Sequence, residues 1–132
     1  MADNYLQFSQ MIKCRSQGEI DWLREHLDIG CTDEENDEGI FPPCDYQAIE
    51  GGVWVNSDDW SDVGVLSSVV AEYQRQFDVG EPWSLEYAAT CSKPWLGQFG
   101  GGAVVVYKGE CHYQDSSEFV HNKIVELAEE EA

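Results

Sequence analysis

The sequence predicts an α+β domain of the ferredoxin-like type, in which a split βαβ arrangement builds an antiparallel sheet with helices on one face. The order of the apolar patterns supports this fold class: strand, helix, strand, strand, helix, strand, then an extra strand and a C-terminal helix. The size supports it as well, because 132 residues of which 42% are hydrophobic suffice for one core. We therefore expect a single domain over residues 1–132.

The first strand and the first helix have clear local signals. Residues 5–12 carry apolar side chains against polar neighbours, which is typical of a half-buried strand. Ser16 and Glu19 form a capping box, so a helix is predicted to begin after Ser16, and Gly30 is expected to end it. The apolar face of this helix is predicted to carry Ile20, Leu23 and Leu27.

The middle of the chain is predicted to hold a loop followed by a hairpin. Residues 31–43 are interpreted as a loop, because charged residues are followed there by a glycine and two prolines. Residues 46–50 and 53–56 are predicted to be strands joined by a tight turn at Gly51-Gly52.

The second half of the chain adds two helices and three strands. Residues 58–61 are predicted to open the second helix, and residues 83–89 and 103–107 to form strands. Residues 111–114 are expected to add a short edge strand before a last helix capped at Asp115. The apolar stripes of the helices are Val65, Leu66, Val69, Val70, Tyr73 and Phe77 in the second, and Val120, Ile124, Leu127 and Ala128 in the last.

Charge is the most informative feature for function. The chain has 26 acidic and 7 basic residues, for a net charge of −19. A polyanion repels nucleic acid and anionic lipid, so we expect it to bind neither directly. No apolar stretch approaches the ~18 residues of a membrane span.

Cysteine usage predicts a reducing compartment. The five cysteines are odd in number, no pair has C-x-x-C spacing, and residues 1–5 lack the basic and apolar start of an export signal. A disulfide framework is therefore not expected, and a cytoplasmic location is predicted.

Acidic residues are concentrated in one part of the sequence. From Glu25 to Gln74 there are thirteen acidic residues and no Lys or Arg. This segment is either a set of solvated loops and helix starts, where carboxylates are favoured, or an anionic surface shaped for a basic groove. For the second interpretation the predicted partner-binding residues are Asp33, Glu34, Glu35, Asp37, Glu38, Asp58, Asp59, Trp60 and Asp62, with Trp60 as the anchor.

Metal and cofactor sites are not predicted. An EF-hand loop begun at Asp33 would have Glu38 where the loop needs glycine and Cys44 where it needs glutamate. No phosphate-binding glycine motif is present either, because a strand rather than a helix follows the three glycines at 100–102.

The segment from Cys91 to Gly102 is the alternative candidate site. Cys91, with Lys93 close by, is a candidate nucleophile, although sequence spacing places no histidine beside it. The competing interpretation is structural: a wide hairpin with a glycine bulge.

Around this segment the sequence resembles a known group of proteins. The residues concerned are Trp83-Ser84-x-x-Tyr87-Ala88-x-x-Cys91-Ser92-Lys93-Pro94 and Gly97-x-Phe99-Gly100-Gly101-Gly102-Ala103-Val104, with Asn4-Tyr5-x-Gln7-Phe8-Ser9 at the start. They are similar to a group of small acidic proteins predicted from bacterial and phage genomes, for which no activity is established. The resemblance implies a compact domain of mobile-element or bacterial cytosolic origin and assigns no catalytic residue.

Three functions remain open on the sequence alone. The first is a non-enzymatic acidic inhibitor or immunity protein that imitates DNA and blocks a basic nucleic-acid-binding partner, such as a defence nuclease, a CRISPR effector or a toxin. The second is a small enzyme or ligand-binding domain that uses the Cys91–Gly102 segment. The third is an assembly component that oligomerises through its sheet edge.

Overall fold

The fold is described from a computed structural model that covers residues 4–33, 39–94, 96 and 99–131. The elements in chain order are β1 (Asn4–Lys13), α1 (Gln17–Asp28), β2 (Cys31–Asp33), β3 (Gly39–Phe41), β4 (Asp45–Ile49), β5 (Gly52–Ser57), α2 (Val63–Gln76), β6 (Trp83–Cys91), β7 (Gly100–Tyr107), β8 (Glu110–Asp115) and α3 (Ser116–Glu131).

Six of the strands form one antiparallel sheet in the order β4-β5-β1-β6-β7-β8. In the part β4-β5-β1-β6, strand β5 lies between β4 and β1, and β1 lies between β5 and β6. The connection from β1 to β4, which contains α1, passes over β5. The connection from β5 to β6, which contains α2, passes over β1. This is the split βαβ arrangement. The predicted fold class is confirmed, and β7 and β8 supply the extra strand and the edge strand.

The predicted loop over residues 31–43 is wrong in part, because it contains a separate two-stranded hairpin of β2 and β3. Cys31 pairs with Phe41 at the base of this hairpin, and Asp33 pairs with Gly39 at its far end. Strands of three residues are too short to show a two-residue period, so the pattern of side chains did not indicate them.

The second helix begins at Val63 and not at residues 58–61. Asp62 is its N-cap, since its side chain accepts a hydrogen bond from the Val65 amide at 3.0 Å. The segment before it continues the sheet instead: the Leu6 amide of β1 donates to the Asp59 carbonyl at 2.7 Å. This backbone pairing keeps residues 58–61 out of the helix.

Helices α1 and α2 pack on one face of the sheet and enclose the core. Their stripes meet alternate side chains of β1, β5, β6 and β7. The fully buried residues of this layer include Leu23, Leu27, Val53, Val55, Leu66, Val70, Leu85, Val104 and Val106. The apolar faces predicted for the first two helices are therefore confirmed.

Two glycine positions are required by geometry in the first hairpin. Gly51 has φ +82° in the turn between β4 and β5, a conformation that favours glycine. A Cβ on Gly52 would lie 2.2 Å from the carbonyl oxygen of Ile12, so only glycine lets β5 start this close to β1. The predicted Gly51-Gly52 turn is confirmed.

Gly30 follows the first helix for a different reason than predicted. The helix ends at Asp28, and Ile29 is its C-cap. A Cβ on Gly30 would lie 2.9 Å from Cδ of Pro43 and 3.2 Å from a methyl group of Val65. Gly30 thus makes room for the chain segment before β4 and for the start of α2.

Helix α3 does not join the helical layer. Its main contacts are with β7 and β8, and every residue from Ser116 to Glu130 is exposed. The sheet face opposite α1 and α2 is also uncovered; we call it the open sheet face and define it by Ile49, Trp54, Glu86, Val105 and Tyr107.

Candidate functional site

The sheet topology collects acidic residues at one end of the molecule. Asn4 pairs with Cys91, and Asp45 pairs with Asn56 near the end of β5, so these strand ends lie together. Asp28 belongs to the same end, because its carboxylate accepts a hydrogen bond from the hydroxyl of Tyr46 in β4. We call this region the acidic end and define it by Asp28, Asp33, Asp45, Asp58, Asp59 and Asp62.

The base of the β2–β3 hairpin is joined to the start of α2. The Asp62 amide donates to the Pro43 carbonyl at 2.8 Å. Burial raises the pKa of the Cys31 thiol, and the nearby Asp62 carboxylate raises it further. The base of the hairpin that carries Asp33 and the segment 58–62 therefore lie next to each other.

Asp33 lies in β2, where its backbone pairs with Gly39. It is two residues from the hairpin base at Cys31, or about 7 Å along the strand. The predicted residues Glu34, Glu35, Asp37 and Glu38 lie outside the described residues.

The segment from Ser57 to Asp62 is fixed by hydrogen bonds from both sides. The buried Ser57 hydroxyl lies 2.7 Å from the Leu6 carbonyl oxygen and 3.2 Å from that of Trp60. Together with the Leu6–Asp59 backbone bond, this holds the segment in one conformation next to the start of β1. A segment that is already ordered loses little conformational entropy when it binds a partner.

The side chains of this segment that could meet a partner are exposed. Asp58 and Asp59 are exposed, and 56% of the surface of Trp60 is accessible. Asp62 is less exposed and is used as the helix cap. The predicted set therefore contains two different kinds of carboxylate: Asp62 maintains the fold, whereas Asp58 and Asp59 contribute mainly charge.

Four basic residues lie at the opposite end of the sheet, together with the carboxylates of Glu19, Glu50, Glu81 and Glu110. Lys13 ends β1, and Lys108 lies in the turn between β7 and β8. Arg75, in the last turn of α2, donates to the Gly109 carbonyl at 2.7 Å, and Arg15 donates to the Phe77 carbonyl. We call this region the basic end and define it by Lys13, Arg15, Arg75 and Lys108.

Two ion pairs lie away from the carboxylates of the acidic end: Arg15–Glu19 at 3.1 Å and Lys123–Glu126 at 3.3 Å. Lys93, in the connection between β6 and β7, is a basic residue on the acidic side of the sheet.

The glycines of the alternative site have a structural use. A Cβ on Gly102 would lie 2.6 Å from the Tyr87 hydroxyl, and one on Gly101 would lie 2.6 Å from the Tyr87 carbonyl oxygen. The pairing of β6 with β7 runs without interruption from Trp83–Val106 to Ala89–Gly100. The predicted glycine bulge is therefore wrong over this register, because the glycines instead allow the Tyr87 side chain to lie across β7.

The three histidines are spread over three elements. His26 lies in α1 and stacks on Trp22 with ring centroids 3.7 Å apart. His112 lies on the edge strand β8, where it pairs with Val105, and His121 lies on the exposed helix α3. Among the described residues, no hydrogen bond links a histidine to Cys91, which ends β6.

A cavity of about 210 Å³ opens between β1, α2 and β6. The fold itself uses some of the polar groups that line it. Gln74 donates to the Val106 carbonyl at 2.8 Å and accepts from the Gly109 amide at 3.0 Å, while the Trp83 indole donates to the Met11 carbonyl at 3.0 Å. Lys13 and Glu81 also line this cavity.

Sequence reasoning missed Asp28 and Asp45 as members of the acidic end. Each lies at the end of an element, and only the strand order shows that these ends meet. The described residues contain no group of three or more side chains suited to a metal ion. None of the described helices is long and apolar enough to cross a membrane. Comparison with protein-family models, curated proteins and solved structures finds no match to this chain.

Proposed function

We propose that this chain is a non-enzymatic interaction protein whose acidic end binds a basic, nucleic-acid-binding protein in place of nucleic acid. The observation that supports this most is the convergence of acidic residues from α1, β2, β4 and the segment before α2 on one end of the sheet, whereas the other end carries both basic and acidic residues. A nuclease, a CRISPR effector or a toxin with a positively charged groove is the class of partner that fits.

The charge arrangement supports binding by many weak contacts. Carboxylates of the acidic end take the place of phosphates and pair with Lys and Arg of the partner, which also speeds association. Each exposed pair contributes only about 0.2–1 kcal/mol, so the affinity depends on the number of carboxylates that engage together.

Trp60 adds an apolar contact to the ion pairs that the carboxylates make. It lies two residues after Asp58, in the segment that is fixed against β1. Tryptophan is enriched among the residues that dominate binding energy at protein interfaces. In this proposal Trp60 enters a pocket of the partner, and the surrounding carboxylates select a basic rim around that pocket.

The test is a comparison of two variants with the same net charge. The first combines Asp58→Asn, Asp59→Asn and Asp62→Asn; asparagine still caps helix α2 at position 62. The second combines Glu50→Gln, Glu81→Gln and Glu110→Gln, which are exposed positions near the basic end. Each protein is immobilised and used to capture partners from bacterial lysate at about 50 mM and about 500 mM salt, with mass spectrometry as the readout.

We expect the parent and the second variant to capture the same basic nucleic-acid-binding protein at low salt and to release it at high salt. The first variant should bind it about 2- to 30-fold more weakly, the sum of the two exposed pairs made by Asp58 and Asp59. Equal loss in both variants would mean that only net charge matters, and unchanged binding by the first variant would disprove the proposed site.

A further inference from the structure

A groove of about 360 Å³ lies at the surface between α1 and α2. The residues that line it are His26, Ile29, Gly30, Gly64, Val65, Ser68, Val69 and Glu72. Val69 is buried and Val65 is half-buried, whereas 55% of the surface of Ile29 is accessible. The groove therefore has an apolar floor and a large apolar side chain that the fold leaves mostly uncovered.

Two glycines keep this groove open. A Cβ on Gly30 would lie 3.2 Å from a methyl group of Val65, so a side chain there would fill the space between the two helices. Gly64 is exposed, and the heavy atom nearest to its Cβ position is Oδ1 of Asp62, at 3.3 Å. At these two positions the wall of the groove is backbone, which lets another chain approach closely.

Both walls of the groove are ordered. On α1 the His26 ring stacks on Trp22 with ring centroids 3.7 Å apart, and its Nδ1 donates to the Trp22 carbonyl at 2.8 Å. On α2 the Ser68 hydroxyl donates to the Gly64 carbonyl at 3.0 Å. A partner thus meets a groove that is already formed, so little of this chain has to be ordered on binding.

The rim of the groove is acidic. Glu72 is exposed and belongs to the lining. Glu25 is exposed too and precedes Ile29 by four residues, which places both on the same side of α1. Asp62 adds a carboxylate next to Gly64 at the other end of the groove. Carboxylates therefore border the apolar floor from both helices.

Basic residues are absent from the sequence that builds this groove. From Glu25 to Gln74 the chain has no Lys or Arg. Arg24, just before this segment, lies about 140° around α1 from Ile29. The groove also adjoins the acidic end, because Asp28 directly precedes Ile29 and Asp62 caps the helix that carries the other wall. One anionic surface thus extends from the acidic end along the groove.

We propose that the groove binds an apolar side chain of the basic protein partner, presented on a segment in which Lys or Arg residues flank that side chain. This inference rests on the proposed function, since the same partner occupies the acidic end. Ile29, Val65 and Val69 remove the apolar side chain from water, while the rim carboxylates pair with the flanking cations. A segment without cations would leave these carboxylates desolvated and unpaired, and an acidic segment would be repelled.

The test is an NMR titration of the full ¹⁵N-labelled chain with two capped five-residue peptides at about 50 mM salt. The probe peptide has a leucine between two pairs of lysines, and the control peptide has alanine in place of the leucine. We expect the probe to bind at least about 5-fold more tightly, because each buried CH₂ group strengthens binding by about 4-fold. The probe should also shift the amide signals of Ile29, Gly30, Gly64 and Val65 more than the control peptide does.

Three variants locate the leucine. Ser68→Trp fills the groove from an exposed position and should remove the advantage of the leucine peptide over the alanine peptide. Ile29→Ser, which removes apolar surface instead of adding bulk, should reduce the same advantage. Gln76→Trp is the matched control: it is exposed on the same helix, about 12 Å further along, and should bind both peptides like the parent. Circular dichroism checks that each variant is folded.

The outcomes separate this inference from the proposed function. If both peptides bound equally and shifted only amides of the acidic end, the groove would be excluded while the acidic end remained a binding site. If neither peptide shifted the acidic end, the proposed function would be contradicted together with this inference. An advantage of the leucine peptide that survives Ser68→Trp and Ile29→Ser would overturn the groove. Shifts of the groove amides on concentrating the protein alone would assign the groove to a second copy instead.

Discussion

The Tyr73 hydroxyl donates a hydrogen bond to the Glu19 carboxylate and so links helix α2 to the first turn of helix α1. The same hydroxyl lies 3.0 Å from the Lys13 carbonyl oxygen at the end of β1. Glu19 is buried and also accepts from the Arg15 amide at 3.2 Å and from Arg15 Nε at 3.1 Å. Three elements are therefore held together around one carboxylate.

We expect Tyr73→Phe to lower the free energy of unfolding by about 1–3 kcal/mol, because it leaves a buried carboxylate with one donor fewer. Urea denaturation measures the change. Tyr46→Phe is the control, since the Tyr46 hydroxyl bonds to Asp28 near the surface, and it should cost less than about 1 kcal/mol. Equal effects of the two changes would contradict the importance of the Glu19 contact.

The Glu19 cluster also predicts a pH dependence. Burial raises the pKa of the Glu19 carboxyl, but hydrogen bonds from Tyr73 and the Arg15 amide, together with the Arg15 guanidinium, outweigh it and lower the pKa below its usual 4.5. A pKa lowered by folding gives stability that is present above the unfolded value and is lost as pH falls through the folded value. The difference in unfolding free energy between the parent and Glu19→Gln should therefore be largest above pH 4.5 and shrink below it.

Urea denaturation at a series of pH values measures this difference. Glu126→Gln removes an exposed ion pair with Lys123 and serves as the control, with an expected effect below about 1 kcal/mol at every pH. If the difference in unfolding free energy between the parent and Glu19→Gln stayed constant down to about pH 2, the charge of Glu19 would add nothing to stability.

Gly102→Ala should destabilise the fold by about 1–3 kcal/mol, because the new methyl group would overlap the Tyr87 hydroxyl and the Gln114 carbonyl oxygen. Gly80→Ala is the matched control, since nothing lies within 4 Å of its Cβ position. Thermal or urea unfolding compares the two. If Gly102→Ala were as stable as the parent, the structural role of this glycine would be refuted.

Trp60→Ala should weaken binding to the captured partner by about 2 kcal/mol or more, or roughly 30-fold. Trp54→Ala removes another half-exposed indole, on the open sheet face, and should leave partner affinity unchanged. Calorimetry or surface plasmon resonance measures both affinities. Greater sensitivity to Trp54 than to Trp60 would move the binding site to the sheet.

The protein should not shift DNA or RNA in a gel at about 50 mM salt, where contacts to phosphate are strongest. The reason is the net charge of −19, with the basic-end arginines engaged by backbone carbonyls. A stable complex with either nucleic acid would exclude the idea that the chain takes the place of nucleic acid.

The local signals of the sequence predicted much of the fold. Both capping side chains accept the expected hydrogen bond. The Glu19 amide donates to Oγ of Ser16 at 3.3 Å, and the Glu118 amide donates to Oδ1 of Asp115 at 2.9 Å. These signals act within four residues of chain and need no tertiary information. The start of α2 could not be predicted in this way, because the backbone bond between Leu6 and Asp59 joins residues that are far apart in sequence.

The sequence predicted which residues belong to part of the candidate site, but it did not predict how they are arranged on the surface. The cluster of Asp58, Asp59 and Trp60 is visible in the sequence, yet its alignment with Asp45 depends on the pairing of β4 with β5. The amphipathic pattern of α3 was visible too, but a pattern of this kind predicts only that a face will be covered. Whether the same chain or another molecule covers it depends on where β8 directs the helix.

The separation of the acidic end from the basic end gives the molecule a permanent electric dipole along its strands. In the field of a positively charged surface such a dipole experiences a torque, which turns Asp58 and Asp59 toward that surface before any contact is made. Encounters then begin in a productive orientation, so the association rate constant rises above that of an isotropic polyanion with the same net charge. Moving three carboxylates from one end of the sheet to the other would keep the net charge and slow association.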